Sequence, residues 1–277
     1  MLTELAFRAL LAAPVVALVA IISYRLRTLS MSGAIAAFLT GVIVFTIGGL
    51  SACVALVVFF VVGSALSKLP SDTKHSAELI KQRKESERNW RQVAANGAVP
   101  IAALLLLAVR PALREELSML YLGALATMFA DTSATELGTR FGGQAYDVIR
   151  FRAIEKGESG GVTGIGLLAS VAAPSVIALM HLTSRALGDL CEFQSMRWAP
   201  ALIAGGAVGA FADSLLGASV QARYRCGTCE KIVEHRLHCD GETVLVRGIR
   251  GIENNAVNLT ASAIGAGASL VLLQALN

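Results

Sequence analysis

The chain has 277 residues, of which 55% are hydrophobic and only 16% charged, and its mean hydropathy is +0.62. A soluble globular chain carries about 25% charged residues, so these figures exclude that class and describe a polytopic membrane protein. The net charge of +4 gives no case for nucleic-acid binding, and no polar stretch is long enough to house a separate soluble enzyme.

Leu5 to Tyr24 is an apolar run followed by Arg25 and Arg27 instead of a small-residue cleavage site, which predicts a retained signal anchor. Residues 31 to 67 are too long for one crossing, and Gly48-Gly49 with Ser51 offers a turn between two helices of about 16 to 18 residues. Ser67 to Gln92 then switches to polar, with Lys68, Lys74, Lys81, Arg83, Lys84, Arg88 and Arg91 interspersed with acids. Apolar segments at 93–109, 117–138, 161–183, 198–220 and 255–276 follow, which makes eight spans in all.

All but five of the 24 Lys and Arg residues fall on one side of these spans, in the connections at about 68–92, 139–160 and 221–253 and at Arg25 and Arg27. The five exceptions are Arg8, Arg110, Arg114, Arg185 and Arg197. By the positive-inside rule the basic loops face inside and both termini face out. The expected fold is all-α, a single transmembrane domain over 1–277. Small residues such as Gly41, Gly63, Gly123, Gly205, Gly209 and Gly265 let its helices approach closely.

The stretch Phe129-Ala-Asp-Thr-Ser-Ala-Thr-Glu-Leu-Gly138 sets two carboxylates where lipid is expected. The apolar run before it, Leu117 to Ala130, is about fourteen residues and puts Asp131 roughly 20 Å into a hydrocarbon layer of roughly 30 Å. An acid at such depth is functional by default. The stretch has a partner in Phe211-Ala-Asp213-Ser214-Leu-Leu-Gly217 and a fainter one in Gly63-Ser-Ala-Leu-Ser-Lys68. Trp198 to Asp213 is about as long as the run before Asp131, so the two acids are expected at one level.

Each of these helix ends leads into a basic loop that re-enters at Asn or Gly. The re-entries are Gln92-Val-Ala-Ala-Asn96-Gly97, Gly160-Gly161-Val-Thr163 and Asn254-Asn255-Ala-Val-Asn258. Two carboxylates, several amides and flanking cations suit Mg²⁺ and phosphates, because Mg²⁺ prefers hard oxygen ligands and bridges phosphate oxygens. Glycines let backbone amides reach those phosphates. Glu136 lies about 140° round a regular helix from Asp131, so it shares the site only if the helix unwinds near Thr132 and Ser133. The competing reading is that these acids and amides are hydrogen-bonded to neighbouring Ser, Thr and Asn as helix-packing glue.

Cys53 and Cys191 stand apart, whereas Cys226-Gly-Thr-Cys229 is followed by His235, His238 and Cys239. Two ligands from the C-x-x-C pair and two from the later trio, as in the set Cys226, Cys229, His238 and Cys239, can make a closed, structural Zn²⁺ site. The plain alternative is reduced thiols in a cytosolic loop.

Together, the segments Gln92–Gly97, Ala130–Gly138, Gly160–Gly164, Ala212–Ala218 with Gln221, and Asn254–Asn258 resemble a known family. It is the integral membrane family that contains phytyl-phosphate kinase of the tocopherol pathway and transmembrane protein 19, a former domain-of-unknown-function family. The resemblance runs from about Gly33 to the C-terminus. It implies phosphoryl transfer from a nucleoside triphosphate, CTP in the characterised members, to an isoprenoid monophosphate in the membrane lipid, giving the diphosphate. It further implies that Asp131 and Asp213 are Mg²⁺ ligands, with Glu136 a ligand or an orienter of one. Asn96, Asn255 and Asn258 become phosphate or metal contacts, and Lys68, Lys74, Arg88 and Lys156 charge clamps. Gly97, Gly160, Gly161, Thr163, Ser214 and Gln221 complete the expected nucleotide and substrate surface. A cytidylyltransferase acting on a lipid phosphate needs much the same groups, and an ion-coupled transporter also shows midmembrane acids and repeats. No P-loop of the form G-x-x-x-x-G-K-[ST] occurs, so the nucleotide must be held in another way.

Overall fold

The structure, a computed structural model, describes residues 2–69, 87–183, 196–230, 232–234, 236–239 and 241–276. Lys74, Cys191 and His235 lie outside the described residues. Eight α-helices are present among those described: α1 (Leu2–Arg25), α2 (Met31–Ile43), α3 (Gly49–Ser67), α4 (Trp90–Val109), α5 (Arg114–Phe141), α6 (Gly164–Thr183), α7 (Trp198–Ser219) and α8 (Asn254–Ala275). They correspond one for one to the apolar segments of the sequence.

Six helical runs are long and apolar enough to cross a membrane, with residues 31 to 67 counting as one run of 37. The expected turn at Gly48-Gly49 is instead a π-helical segment, Val44–Gly48, followed by Gly49 at φ 73°. The chain passes from α2 to α3 without a polar loop. Helix α5 falls outside the six because Glu115, Glu116, Asp131, Glu136 and Arg140 interrupt its apolar surface.

Local sequence signals account for the helix starts nearest the site. Ser30 caps α2 by accepting the Gly33 N–H at 3.2 Å. At α4 the Asn89 side chain accepts the N–H groups of Arg91 (3.0 Å) and Gln92 (3.2 Å), while Gln92 Oε1 accepts the Asn89 N–H (3.0 Å). Reciprocal bonds of this kind satisfy donors that a helix leaves open at its first turn. The two caps are joined, since Arg88 N donates to Thr28 O and Ser30 N donates to Arg88 O, both at 3.1 Å. Gly33 sits directly under that Arg88 carbonyl, where a Cβ would collide with it.

Helix α5 is the axis of the bundle and touches α3, α4, α6, α7 and α8. From Leu117 to Ala130 it is buried almost throughout. Thr127 packs into the space left by Gly209 and Gly265, and Ser269 into that left by Gly123 and Gly205. Contact by small residues brings the α5, α7 and α8 backbones together, which is how helices associate where lipid offers no hydrophobic drive. Around this seam Phe59 meets Phe129 edge-on at 6.2 Å, Tyr121 donates to Ala52 O at 2.8 Å, and Trp198 stacks on His181 at 4.4 Å. The outer faces are apolar and open, as at Leu10, Val109 and Leu168.

Two small antiparallel sheets modify the all-helical expectation. The connection after α5 carries β1 (Ala145–Asp147), β2 (Ala153–Ile154) and β3 (Gly161–Val162), ordered β2-β1-β3. The connection after α7 carries β4 (Arg223–Cys226), β5 (Ile232–Val233), β6 (Leu237–His238) and β7 (Gly241–Arg247), ordered β5-β4-β7-β6. Strand β7 reads Gly-Glu-Thr-Val-Leu-Val-Arg, and its β-branched residues favour a pleated surface over a solvated coil.

The first sheet is fastened at Asp147, whose Oδ1 accepts the N–H groups of Ile149 (2.9 Å) and Arg150 (2.7 Å) and whose Oδ2 meets Arg150 Nη1 at 3.1 Å. Burial alone raises its pKa, but the Arg150 and Ile149 N–H groups and the Arg150 guanidinium more than offset that and hold the carboxyl below its ordinary value. A depressed carboxylate stabilises the fold above its unfolded pKa of about 3.9 and loses that contribution as the pH falls through the folded value. Asp147→Asn should therefore cost about 1–2 kcal/mol at pH 7. In detergent, the thermal-unfolding gap between variant and wild type should close on acidification below about pH 4.

Candidate functional site

A cavity of about 870 Å³ opens where the C-terminal parts of α3, α5 and α7 meet the N-terminal parts of α4, α6 and α8. Unpaired N–H groups and the helix dipole make the first turn of a helix attractive to anions. The positive dipole ends of three helices border one space here, although side chains cap part of the first turns of α4 and α6, and Asp131 of α5 and Asp213 of α7 border it too. The two acids are near enough to feel one another's charge. Helix α5 runs unbroken past both Asp131 and Glu136, so the unwinding that Glu136 needs to join Asp131 does not occur.

Asp131 has no hydrogen-bonding partner among the described residues. Asp213 is held by Asn258: in the amide orientation that satisfies both of its ends, Asn258 Nδ2 donates to Asp213 Oδ2 (3.1 Å) and to Asn254 O (3.0 Å). In the opposite orientation the same Asn258 amide nitrogen instead donates to Asn96 Oδ1 at 3.4 Å. The α8 amide thus reaches either the α7 carboxylate or the α4 amide, all three lining the cavity wall. Glu136 is committed elsewhere, because its carboxylate pairs with Arg140 and accepts from Ser67 Oγ at 2.6 Å. Arg140 is fully used as well, donating to the carbonyls of Glu136, Ser67 and Leu69, each at 3.1 Å. Glu136 also lines the cavity, and these bonds make it a clamp between the ends of α3 and α5 at the cavity's edge.

Of the other expected residues, Arg88, Gly160, Gly161, Thr163 and Ser214 line the cavity. Thr163 caps α6 through the Gly166 N–H at 3.0 Å, and Gly160, at φ 84°, fits against Ala218 where a Cβ would clash. Lys68 turns away and donates to Leu26 O at 2.7 Å, and Lys156 is exposed on its loop. Gly97 faces Thr40 and Ile101 within the helix packing, and Asn255 stands beside the cavity-lining Asn254 without lining the cavity itself. Gln221 is buried behind the wall and accepts from Ser159 Oγ at 2.6 Å.

Ser67, Arg140, Ser159, Glu234 and Asn254 also border the cavity without having been singled out as site residues. Asn254 and Ser67 lie in the re-entry and repeat motifs of the sequence, and Arg140 stands four residues after Glu136, one helical turn on.

A second, apolar cavity of about 140 Å³ lies among α1, α2, α3, α4 and α5, walled by residues such as Val16, Val44, Phe59 and Met128. Arg88, Gln92 and Asn96 line both spaces. One cation and two amides are therefore common to the walls of the two spaces.

A glycine-packed apolar bundle with acids, amides and helix N-termini around an internal chamber is an integral, multi-pass membrane protein with a hydrophilic site. Residues 14–266 match the family described as integral membrane protein DUF92, and the chain belongs to it. It is 29% identical over 270 residues to Protein PGR of Arabidopsis thaliana, covering 91% of each chain. It is 29% identical over 206 residues to an uncharacterized membrane protein, MJ0933, of Methanocaldococcus jannaschii, covering 74% of this chain and 79% of that one. To the chloroplastic protein VTE6 of Arabidopsis thaliana it is 26% identical over 200 residues, 70% of this chain and 56% of the relative. No solved structure matches it.

Proposed function

We propose that the chain is a membrane-embedded prenyl-phosphate kinase that moves a phosphoryl group from CTP, or another nucleoside triphosphate, to an isoprenoid monophosphate. The observation that carries this reading is that Arg88, Gln92 and Asn96 line both the chamber and the apolar cavity, which sets the two spaces side by side. An amphiphile with a phosphate head and a hydrocarbon tail needs a polar chamber opening onto an apolar groove. The family resemblance points to the same class of substrate, and the concentration of basic residues in one set of loops suits a soluble, anionic cosubstrate on that side.

The oxygens available suit a hard divalent cation, and Asp131 and Asp213 would hold it with the amides of Asn96 and Asn258 nearby. When bound, Mg²⁺ would neutralise phosphate charge and act as a Lewis acid. The protein's own part is alignment. The acceptor phosphate is already ionised, so no general base is required; one of its oxygens bonds to the γ-phosphorus of the donor as the bond from that phosphorus to the β,γ-bridging oxygen breaks, releasing CDP. Arg88 at the junction and the first turns of α4, α6 and α8 supply positive potential to the two phosphates.

Purified protein with Mg²⁺, labelled CTP or ATP and a panel of prenyl monophosphates tests the proposal. The expected products are a prenyl diphosphate and a nucleoside diphosphate. Pyrophosphate release would identify a cytidylyltransferase instead, and solute uptake into proteoliposomes without nucleotide consumption a transporter.

A further inference from the structure

The second sheet brings together side chains for which the proposed chemistry has no use. Cys226 ends β4, Cys229 lies three residues on in the following turn, and His238 and Cys239 close β6 before the chain reverses into β7. One ligand atom from each of the four lies within 4.8 Å of all the others. His238 Nδ1 is 3.5 Å from Cys229 Sγ and 3.2 Å from Cys239 Sγ. Tetrahedral Zn²⁺, with Zn–S about 2.3 Å and Zn–N about 2.0–2.1 Å, places its ligand atoms about 3.5–3.8 Å apart. The separations found, from 3.2 Å to no more than 4.8 Å, bracket that spacing, and the described cysteines are free thiols, not disulfide-linked.

The backbone is shaped to the same end. Glu230, next after Cys229, has φ 56°, and Cys239 itself has φ 50°. Non-glycine residues enter this left-handed region at a cost. Here the two reversals turn the ends of two separate hairpins toward one point. Burial is graded, with Cys226 buried beneath the cluster and Cys239 exposed above it. Four N and S ligands with no open position make a structural site, and the soft thiolates select zinc over the hard cation proposed for the chamber.

We infer that Cys226, Cys229, His238 and Cys239 bind one Zn²⁺ ion that locks the four-stranded sheet against the rim of the chamber. The link to the rim runs through β4. Three residues before Cys226, Arg223 donates to Ser159 O at 3.2 Å and stands 3.8 Å from Glu234 Oε1, and both Ser159 and Glu234 border the chamber. Strand β7 joins the two ligand pairs, since Cys226 is in register with Thr243 and His238 with Gly241. Fixing the ligand ends of β4 and β6 therefore fixes the strand that carries Arg223, and with it the strand β5 that pairs with β4 and leads into Glu234. The inference holds whatever reaction the chamber performs.

The test is metal analysis of the full-length protein, purified in detergent under reducing conditions and washed with a weak chelator. One zinc per chain is expected. Exchange for Co²⁺ should give the strong visible absorption of a tetrahedral thiolate site with thiolate-to-metal charge transfer. Cys229→Ser should lower retained zinc by roughly tenfold or more, while Cys53→Ser, in the apolar helix α3, should leave it at one per chain. Stripping the zinc with a strong chelator should speed proteolysis within residues 227–241 and leave the helices resistant. A wild-type protein with no zinc, a disulfide among the three cysteines, or protease resistance unchanged by metal removal would overturn the inference. The wild-type measurement decides the stoichiometry by itself, so a variant that fails to fold cannot shelter it.

Discussion

Asp131→Asn should lower phosphoryl transfer by about 100-fold or more while leaving expression and thermal unfolding unchanged. The activity loss follows from charge. An amide of the same size keeps one oxygen but cannot bring a full negative charge to a divalent cation, and losing one preorganised electrostatic contact of this kind typically costs about 10²–10³ in rate. The stability expectation follows from structure. Asp131 makes no hydrogen bond among the described residues, and it shares the chamber wall with Asp213. Replacing its carboxylate by an amide of the same size takes no bond from the fold. The packing-glue reading of this residue predicts the reverse, a destabilised bundle with chemistry intact in whatever survives. Transfer kinetics and unfolding measured on the same preparation separate the two, and wild-type activity in this variant would remove Asp131 from the site.

Much of this arrangement was legible in the sequence, for identifiable reasons. Apolar runs marked every helix because in lipid the chain must satisfy its own backbone, and helices do so within one segment. Equal run lengths before Asp131 and Asp213 anticipated that both acids would border one chamber, and the re-entry motifs anticipated Asn96 and Asn258. What failed depended on tertiary partners. Lys68 carries a charge of the expected sign, but its target is a carbonyl in the turn between α1 and α2, forty-two positions away. Glu136 was left conditional on a helix break, and its actual fate depended on Ser67 of α3. The π-helical passage at Val44–Gly48 has no signature beyond the glycine pair that follows a turn just as readily. The two sheets were hidden because strands of two to seven residues in polar connections carry too little periodicity to register.

Arg88→Ala should raise the KM for both phosphate-bearing substrates and cut kcat/KM by about 100-fold, with Arg88→Lys recovering only part of the loss. Arg88 is the cation placed where the polar and apolar spaces meet. Its backbone is gripped on both sides by Thr28 and Ser30, and Gly33 allows that grip by carrying no side chain into the Arg88 carbonyl. Burial pushes the guanidinium below its ordinary pKa, against the charge of Glu136, which raises it; an arginine nevertheless stays protonated across the physiological range. Truncation removes a fixed, planar, charge-assisted donor set whose two parallel bonds match a phosphate, worth about 1.5–3 kcal/mol when such a bond goes to a charged group. Lysine restores the charge but offers a single rotatable ammonium on a flexible stem, so affinity should return further than the turnover that depends on alignment. The split between KM and kcat across the alanine and lysine variants checks this, and kinetics in Arg88→Ala indistinguishable from wild type would leave the junction without its cation and the tail-and-head reading of the two cavities without support.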